Sequence, residues 1–290
     1  MRKLQANILP AQQVLAEHAE PLYRLYATCY DETDPARFRA DLEEKQWVIL
    51  LLDGETGEVA GFSTQLLLDV QVNQQPVHAL FSGDTIIHPR YWGSLELVRA
   101  WCRFAGKLKA QSGSRPLYWF LISKGHRTYM YLPSFFHEFF PRYDCLTPVF
   151  EQQLINALGS VKYPREFNPQ TGLIEYPTAH DRLKTDLDAA PNRLHNPHVE
   201  FFVRRNPSYR QGNELVCVAE ISPANMRSVA QRELEWGLRS VVQLDSSEKQ
   251  LVHASTLRLG SGQAGSARTE NSERHQDNSR SFLRKTQDGL

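Results

Sequence analysis

The chain has 290 residues, 41% of them hydrophobic, with 33 Lys and Arg against 33 Asp and Glu. That length and apolar content suffice for a sizeable core, while the balanced charge supplies no overall field toward nucleic acid or a membrane surface, so neither is expected as a partner. Met1-Arg-Lys-Leu-Gln-Ala-Asn leads into no apolar stretch of signal-peptide type, and no run of about 18 uncharged apolar residues occurs, so secretion and membrane insertion are not expected.

From Ala11 to Tyr30, Leu15, Ala19, Leu22, Leu25, Tyr26 and Cys29 recur at helical spacing, and Pro35 opens a second short helix through Phe38 and Leu42. Two helices are therefore predicted ahead of the first strand, Trp47 to Leu52. Asp53-Gly-Glu-Thr-Gly57 turns that strand back into Val59 to Leu68 as a hairpin. A polar loop, Asn73-Gln-Gln-Pro76, leads to a strand in which Leu80, Ser82, Thr85, Ile86 and Ile87 stand before His88-Pro89. Gly93 then releases the backbone for a sharp turn, and Leu97, Val98, Trp101, Phe104, Ala105 and Leu108 describe an amphipathic helix. A strand that passes through a glycine turn into a helix leaves unpaired amides at the positive end of the helix dipole, and such a geometry binds phosphate. The stripe Arg99, Arg103 and Lys107 along this helix reads as a solvated face.

The loop from Lys109 to Pro116 precedes Leu117 to Ser123, a nearly continuous apolar strand. Strand, crossover helix and strand in this order predict parallel neighbours. Lys124 to Tyr143 carries an aromatic cluster that reads first as core. Thr147-Pro148 opens a helix through Leu154 and Leu158 that Gly159 is expected to stop. Residues 162–197 are rich in Pro, Asn and Asp, with one short helix predicted near Asp181 to Leu187, and Asn196-Pro197 starts another that Asn206-Pro207 must end. Glu214 to Ile221 is a strand expected to complete the main sheet, and Ser222-Pro223 caps a last helix to about Leu238. Residues 146–240 would then elaborate one domain; a separate C-terminal domain is the alternative. From 256 to 290 the composition is polar and glycine-rich, without the apolar content to recover its ordering entropy, and a disordered tail is predicted.

The strand–turn–helix residues carry a resemblance. Ile87-His88-Pro89 followed by Arg90-Tyr91-Trp92-Gly93-Ser94-Leu95 resembles the V-x-P and [QR]-x-x-G-x-[GA] signature of the GNAT superfamily of acyl-CoA-dependent N-acyltransferases. Arg90 and Gly93 match, and Leu95 stands where the family has Gly or Ala. The order helix, helix, hairpin, strand, helix, strand, helix over residues 1–145 is also that family's order. The resemblance implies a GNAT-like α/β fold, a mixed central sheet flanked by helices with an elaborated C-terminal half. The implied activity is transfer of an acetyl or other acyl group from CoA to an amine of unknown acceptor. Backbone amides from Tyr91 to Leu95 would grip the pyrophosphate, with Ile86, Ile87 and His88 along the pantetheine arm and Arg90 and Lys124 at matching positions. After the next strand the family has N-x-x-A-x-x-[LF]-Y, which sets Tyr131 on the family tyrosine and Lys124 on its Asn. Tyr131, or Tyr129 in a shifted register, is then the expected acid for the departing thiolate, and Asp84 the expected base for the amine. Glu43, Glu44 and the loop after Asp31 fall where the family shapes its acceptor pocket. The rival reading is a non-catalytic GNAT-fold acyl-CoA sensor or protein-interaction module.

Other chemistry finds no support in the residue pattern. Cys29, Cys102, Cys145 and Cys217 stand in apolar runs without CxxC or zinc spacing, which predicts buried, reduced thiols in a cytoplasm. His195-Asn-Pro-His198 has no acidic or cysteine ligand nearby in sequence, so no metal site is expected.

Overall fold

The computed structural model describes residues 4–178, 181–188 and 190–241, and the predicted tail at 256–290 lies outside them. In chain order the elements are β1 (Leu4–Pro10), α1 (Ala11–Glu17), α2 (Ala19–Cys29), β2 (Tyr30–Asp31), α3 (Pro35–Glu43), β3 (Trp47–Asp53), β4 (Val59–Val72) and β5 (Gln75–Ile87). There follow α4 (Glu96–Gln111), β6 (Leu117–Ser123), α5 (His126–Tyr129), α6 (Tyr131–Phe135), α7 (Val149–Lys162), β7 (Phe167–Asn168), β8 (Leu173–Ile174), β9 (Arg182–Leu183), α8 (Pro197–Arg205), β10 (Glu214–Glu220) and α9 (Ser228–Val241). Among the described residues no helix is long and apolar enough to cross a membrane.

Eight strands form one mixed sheet in the order β1-β3-β4-β5-β6-β10-β8-β7. The β5–β6 pair is parallel, from His78 opposite Leu117 to Ser82 opposite Leu121, as the crossover through α4 requires. The other pairs are antiparallel, and β10 lies against β6 from Leu215 opposite Ser123 to Glu220 opposite Tyr118. On one face α4 and α9 bury Leu97, Trp101, Ala105 and Leu234 over Ile49, Leu51, Leu80, Trp119 and Cys217. On the other, α7 covers β4, β5, β6 and β10 through Leu154, Ile155 and Leu158, and α1 to α3 cover β3 and β4 through Val14, Leu22, Leu25 and Phe38. A period-two strand with apolar residues on both faces, such as Val48-Ile-Leu-Leu51, needs helices on both sides, and that is what it has.

Several expectations are corrected. A strand, β1, precedes the helices and pairs with β3 over seven residues; its Gln5 and Asn7 face outward at the sheet edge, which hid the strand pattern. The predicted helix from Ala11 to Tyr30 breaks at His18, and Pro21 falls in the first turn of α2, where a missing amide costs nothing. Gly159 does not stop α7, which runs on to Lys162; the glycine instead makes room for the Phe167 ring, 2.4 Å from an added Cβ. Residues Asp181 to Leu187 form no α-helix but the short strand β9, paired with β2, and a single turn of 3₁₀ helix. The last helix starts at Ser228 rather than after Pro223. Cys145 is exposed, whereas the other three thiols are buried. Arg99 and Arg103 are part-exposed, as a solvated stripe would be, but they also reach Glu233 of α9 at 3.8 and 2.6 Å, and the Arg103 guanidinium lies 4.8 Å from the Trp236 ring.

Candidate functional site

The site arises where two paired strands part. β5 and β6 stop pairing after Ser82 and Leu121, but β5 continues to Ile87, so the sheet opens on its C-terminal side. Just there the ladder between β4 and β5 slips, with Ser63 opposite Thr85 and Gln65 opposite Ser82, which leaves Gly83 and Asp84 as extra residues against Thr64. Such a bulge re-aims a side chain out of the sheet's regular alternation. Here it turns Asp84 toward a cavity.

The glycine turn closes the far end of β5. Pro89–Tyr91 forms a 3₁₀ turn whose start is held by His88 Nδ1, which accepts from the Arg90 amide at 3.2 Å. The amides of Tyr91, Trp92 and Ser94 donate to the carbonyls of His88, Pro89 and Tyr91 at 2.8, 3.2 and 3.1 Å, so these three are used within the turn. Gly93 has φ +91°, a left-handed conformation that a side chain would strain. Leu95, at the N-cap of α4, supplies no side-chain hydrogen bond, and among the described residues the first-turn amides meet only Ser94 Oγ, 3.3 Å from the Glu96 nitrogen. The uncapped start of a helix of 16 residues is thus available to an anion.

A cleft of about 470 Å³ runs from this turn along the opened sheet. Of the residues singled out from sequence, Ile86, Ile87, Trp92, Gly93, Ser94, Leu95, Lys124 and Tyr131 border it. His88, Arg90, Tyr91 and Tyr129 do not. Arg90 is exposed, and the Tyr91 hydroxyl donates to the Asp53 carboxylate behind the turn. Tyr129 is fully buried, its hydroxyl donating to the Pro141 carbonyl at 2.9 Å among Phe139, Phe201 and Phe202, which removes it from contact with anything in the cleft.

Several residues of the cleft went unremarked in the sequence, Thr128, Arg127, Arg193 and His126 among them. Arg127 stacks on the Trp92 ring at 4.2 Å, and burial together with the neighbouring Arg193 charge holds its pKa below the usual value. Two cations drawn together by the fold are a place for a polyanion. His126 is only 2% exposed, and neither ring nitrogen has a hydrogen-bond partner within the described chain. Burial and the Arg127 charge lower its pKa to about 4, so the ring is neutral, with one donor and one acceptor.

A second cavity, about 360 Å³, adjoins the cleft on the side of α2 and α3. Tyr30, Thr85, Lys124 and Thr128 border both spaces. Asp84 stands in its wall beside Asp41, Glu44, Asp181 and Glu214, with Tyr26, Tyr163 and Tyr176 around them. Each nearby cation already has a carboxylate: Lys45 with Asp41 at 2.6 Å, Lys162 with Glu44 at 2.6 Å, Lys124 with Glu214 at 3.5 Å and Arg37 with Asp181 at 3.1 Å. Burial and the Asp41 charge therefore outweigh the pull of Lys124 and Lys45, and the Asp84 pKa is pushed up to about 7. Burial likewise raises the pKa of Tyr131, so its phenol keeps its proton. Glu44 borders this cavity, while Glu43 is paired with Arg39 outside it at 3.2 Å.

Residues 163–214 complete the second cavity from far along the chain. β9 pairs with β2 through Tyr30 opposite Leu183, Arg182 bonds Glu32 at 2.8 and 3.1 Å, and Arg37 grips Asp181 in a two-pronged contact at 3.1 and 3.2 Å. Spacing in the sequence gives no signal for Tyr163, Tyr176 or Glu214 as wall residues. Among the described residues no cluster of three His, Cys, Asp or Glu is arranged to hold a metal ion, and the His198 ring packs against Tyr143 at 4.8 Å.

No family model matches this chain, and no curated protein matches it in sequence. Among solved structures it is similar to a conserved Enterococcus faecalis V583 protein of unknown function (12% identity, 47% of this chain and 33% of that chain, TM-score 0.36). It is also similar to a GNAT family N-acetyltransferase from Escherichia coli solved with CoA (16% identity, 47% and 69%, TM-score 0.32). A third likeness is to a GCN5-related N-acetyltransferase from Kribbella flavida (15% identity, 48% and 34%, TM-score 0.34). The alignment thus takes in about a third of the Enterococcus and Kribbella chains. The chain itself is a large mixed sheet flanked by helices on both faces.

Proposed function

We propose that this protein transfers an acyl group from an acyl-CoA to an amine by direct attack. The observation that carries the reading is the junction of two cavities at Tyr30, Thr85, Lys124 and Thr128, one bordering the start of a helix and the other holding Asp84. A thioester lying in the cleft and an amine lying in the second cavity would meet at that junction. Positioning of this kind supplies a large part of any bimolecular rate enhancement.

The residues of the cleft fit an acyl-CoA by their own chemistry. Gly93 and Leu95, just ahead of α4, with Arg127 and Arg193, offer amides and charge to a diphosphate, and Lys124 offers a polar contact along the arm. In the reaction the amine nitrogen bonds to the thioester carbonyl carbon, the carbon–sulfur bond breaks, and the sulfur leaves as a thiolate. Asp84, with a pKa of about 7, takes the proton the amine must lose, directly or through a water. Tyr131 carries a protonated phenol beside the same cleft and donates to the departing sulfur.

The test is release of free thiol from acetyl-CoA and longer acyl-CoAs against an amine panel, preceded by direct measurement of CoA binding. Thiol release that requires the amine is the expected result. The rival sensor reading draws on one observation, the 41% exposed Leu95 side chain at the helix start where the family has Gly or Ala. Binding of acyl-CoA without release against any amine supports that rival.

A further inference from the structure

A third space, of about 40 Å³, lies inward of the cleft, between α4 and the point where β5 and β6 part. It opens to the cleft past Thr85, Val98, Thr128, Tyr131 and Phe135, which border both, so Thr85 and Thr128 stand at the meeting of three cavities. Its inner wall is Leu97, Trp101, Cys102, Trp119, Leu121 and Phe136.

The polar atoms deepest in it are satisfied by one another, while the hydroxyls of Thr128 and Tyr131 stand at its mouth. Ser82 Oγ accepts from the indole nitrogens of Trp101 and Trp119 at 3.2 and 2.9 Å and donates to Gln65 Oε1 at 2.8 Å. Gln65 Nε2 donates to Ser63 Oγ at 2.7 Å, and Ser63 and Thr85 share a hydroxyl hydrogen bond at 2.7 Å. The Cys102 thiol, its pKa pushed up to about 12 by burial, is a neutral apolar group at any working pH. An inner chamber whose polar groups are spent on one another holds water poorly and suits hydrocarbon.

We infer that this chamber is an acyl-chain pocket, and that the group transferred is a short straight aliphatic acyl chain longer than acetyl. The inference rests on the acyl-transfer reading above. A chamber of about 40 Å³ has room for a few carbons and no long chain, which fits a propionyl or butyryl group with its carbonyl at Thr85 and Thr128. Trp101, Trp119 and Leu121 close the far end and set the length limit.

Equilibrium binding of CoA, acetyl-, propionyl-, butyryl-, hexanoyl- and decanoyl-CoA tests the pocket without requiring turnover, and kcat/KM over the same series tests it in the reaction. Each added methylene up to butyryl is expected to improve both by about fourfold, the equivalent of about 0.8 kcal/mol, with a fall from hexanoyl onward. Cys102→Leu, which adds bulk to the inner wall, is expected to bring the butyryl-to-acetyl ratio down toward one. Leu121→Ala, which deepens the chamber, is expected to move the optimum to a longer chain; thermal melts of both variants show whether they fold. Acyl-CoAs of every length binding like free CoA would overturn the pocket, even where no amine is found. Turnover that is best with acetyl-CoA and declines with each carbon would also overturn it while leaving acyl transfer standing. Failure to bind any CoA would remove both readings together.

Discussion

Asp84 shows how one residue's role depends on what surrounds it. A carboxyl raised to about 7 is a poor surface group and a serviceable base at neutral pH. Asp84→Asn is expected to lower kcat by about 10²–10⁴-fold and to abolish the rise of kcat/KM through an apparent pKa near 7, measured as a pH–rate profile. The same shift has a cost in stability. Because the folded pKa lies above the unfolded value, the native state holds a proton that the unfolded chain has lost between about pH 4 and 7, so stability falls as pH rises through that window. Urea titrations of Asp84→Asn should show its advantage over the parent growing from pH 5 to pH 8; a constant difference would contradict the burial account.

The two tyrosines separate cleanly at this scale. Tyr129 donates inside the core to the Pro141 carbonyl, so Tyr129→Phe leaves a buried acceptor unmet and is expected to destabilise by about 1–3 kcal/mol with little change in turnover. Tyr131→Phe is expected to lower kcat by about 10²-fold or more with stability nearly unchanged. Paired melting and rate measurements on the two variants check this, and the reverse pattern would reassign the acid.

At the scale of elements, the helix pair over the central sheet depends on two glycines. A methyl at Gly106 would stand 2.2 Å from the Leu234 carbonyl oxygen, and one at Gly237 would stand 2.1 Å from the Arg103 carbonyl oxygen, so α4 and α9 touch backbone to backbone. Gly237→Ala forces the helices apart and is expected to cost about 1–3 kcal/mol, the usual range for overpacking, in a denaturant titration. Because α4 also carries the uncapped start that borders the cleft, the variant should weaken CoA binding as well. The sequence disclosed α4 through its 3.6-residue period but left the Arg99 and Arg103 stripe looking solvated. Periodicity reports which face is apolar within one helix, and it says nothing about a partner 130 residues later.

At the scale of the whole molecule, residues beyond 160 return to wall the second cavity. The Arg37–Asp181 contact and the β2–β9 pairing tie that return segment to the N-terminal helices. Arg37→Ala is expected to raise KM for the amine by about tenfold or more while leaving CoA affinity within about twofold, since the arginine borders only the second cavity. Equal losses for both substrates in steady-state kinetics would mean that the segment supports the fold rather than the acceptor.

The sequence by itself determined β3, β4, β5, α4 and β6, together with the glycine turn between β5 and α4. Those elements are written in local periods of two and 3.6, a proline and a glycine, and each has enough apolar residues to specify its buried face. It also offered Asp84 as a carboxylate near the end of its strand and Tyr131 as the tyrosine of a motif, with Tyr129 as the choice in a shifted register. Only the tertiary structure decided that Tyr129 belongs to the core, that β1 caps the sheet edge, that Thr85 and Thr128 stand where three cavities meet, and that Tyr163, Tyr176 and Glu214 enclose the space beside Asp84. The reason is physical: a cavity is the volume that side chains from distant segments fail to fill, and a raised carboxyl pKa is the solvent they jointly exclude. Neither quantity exists until the chain has closed on itself.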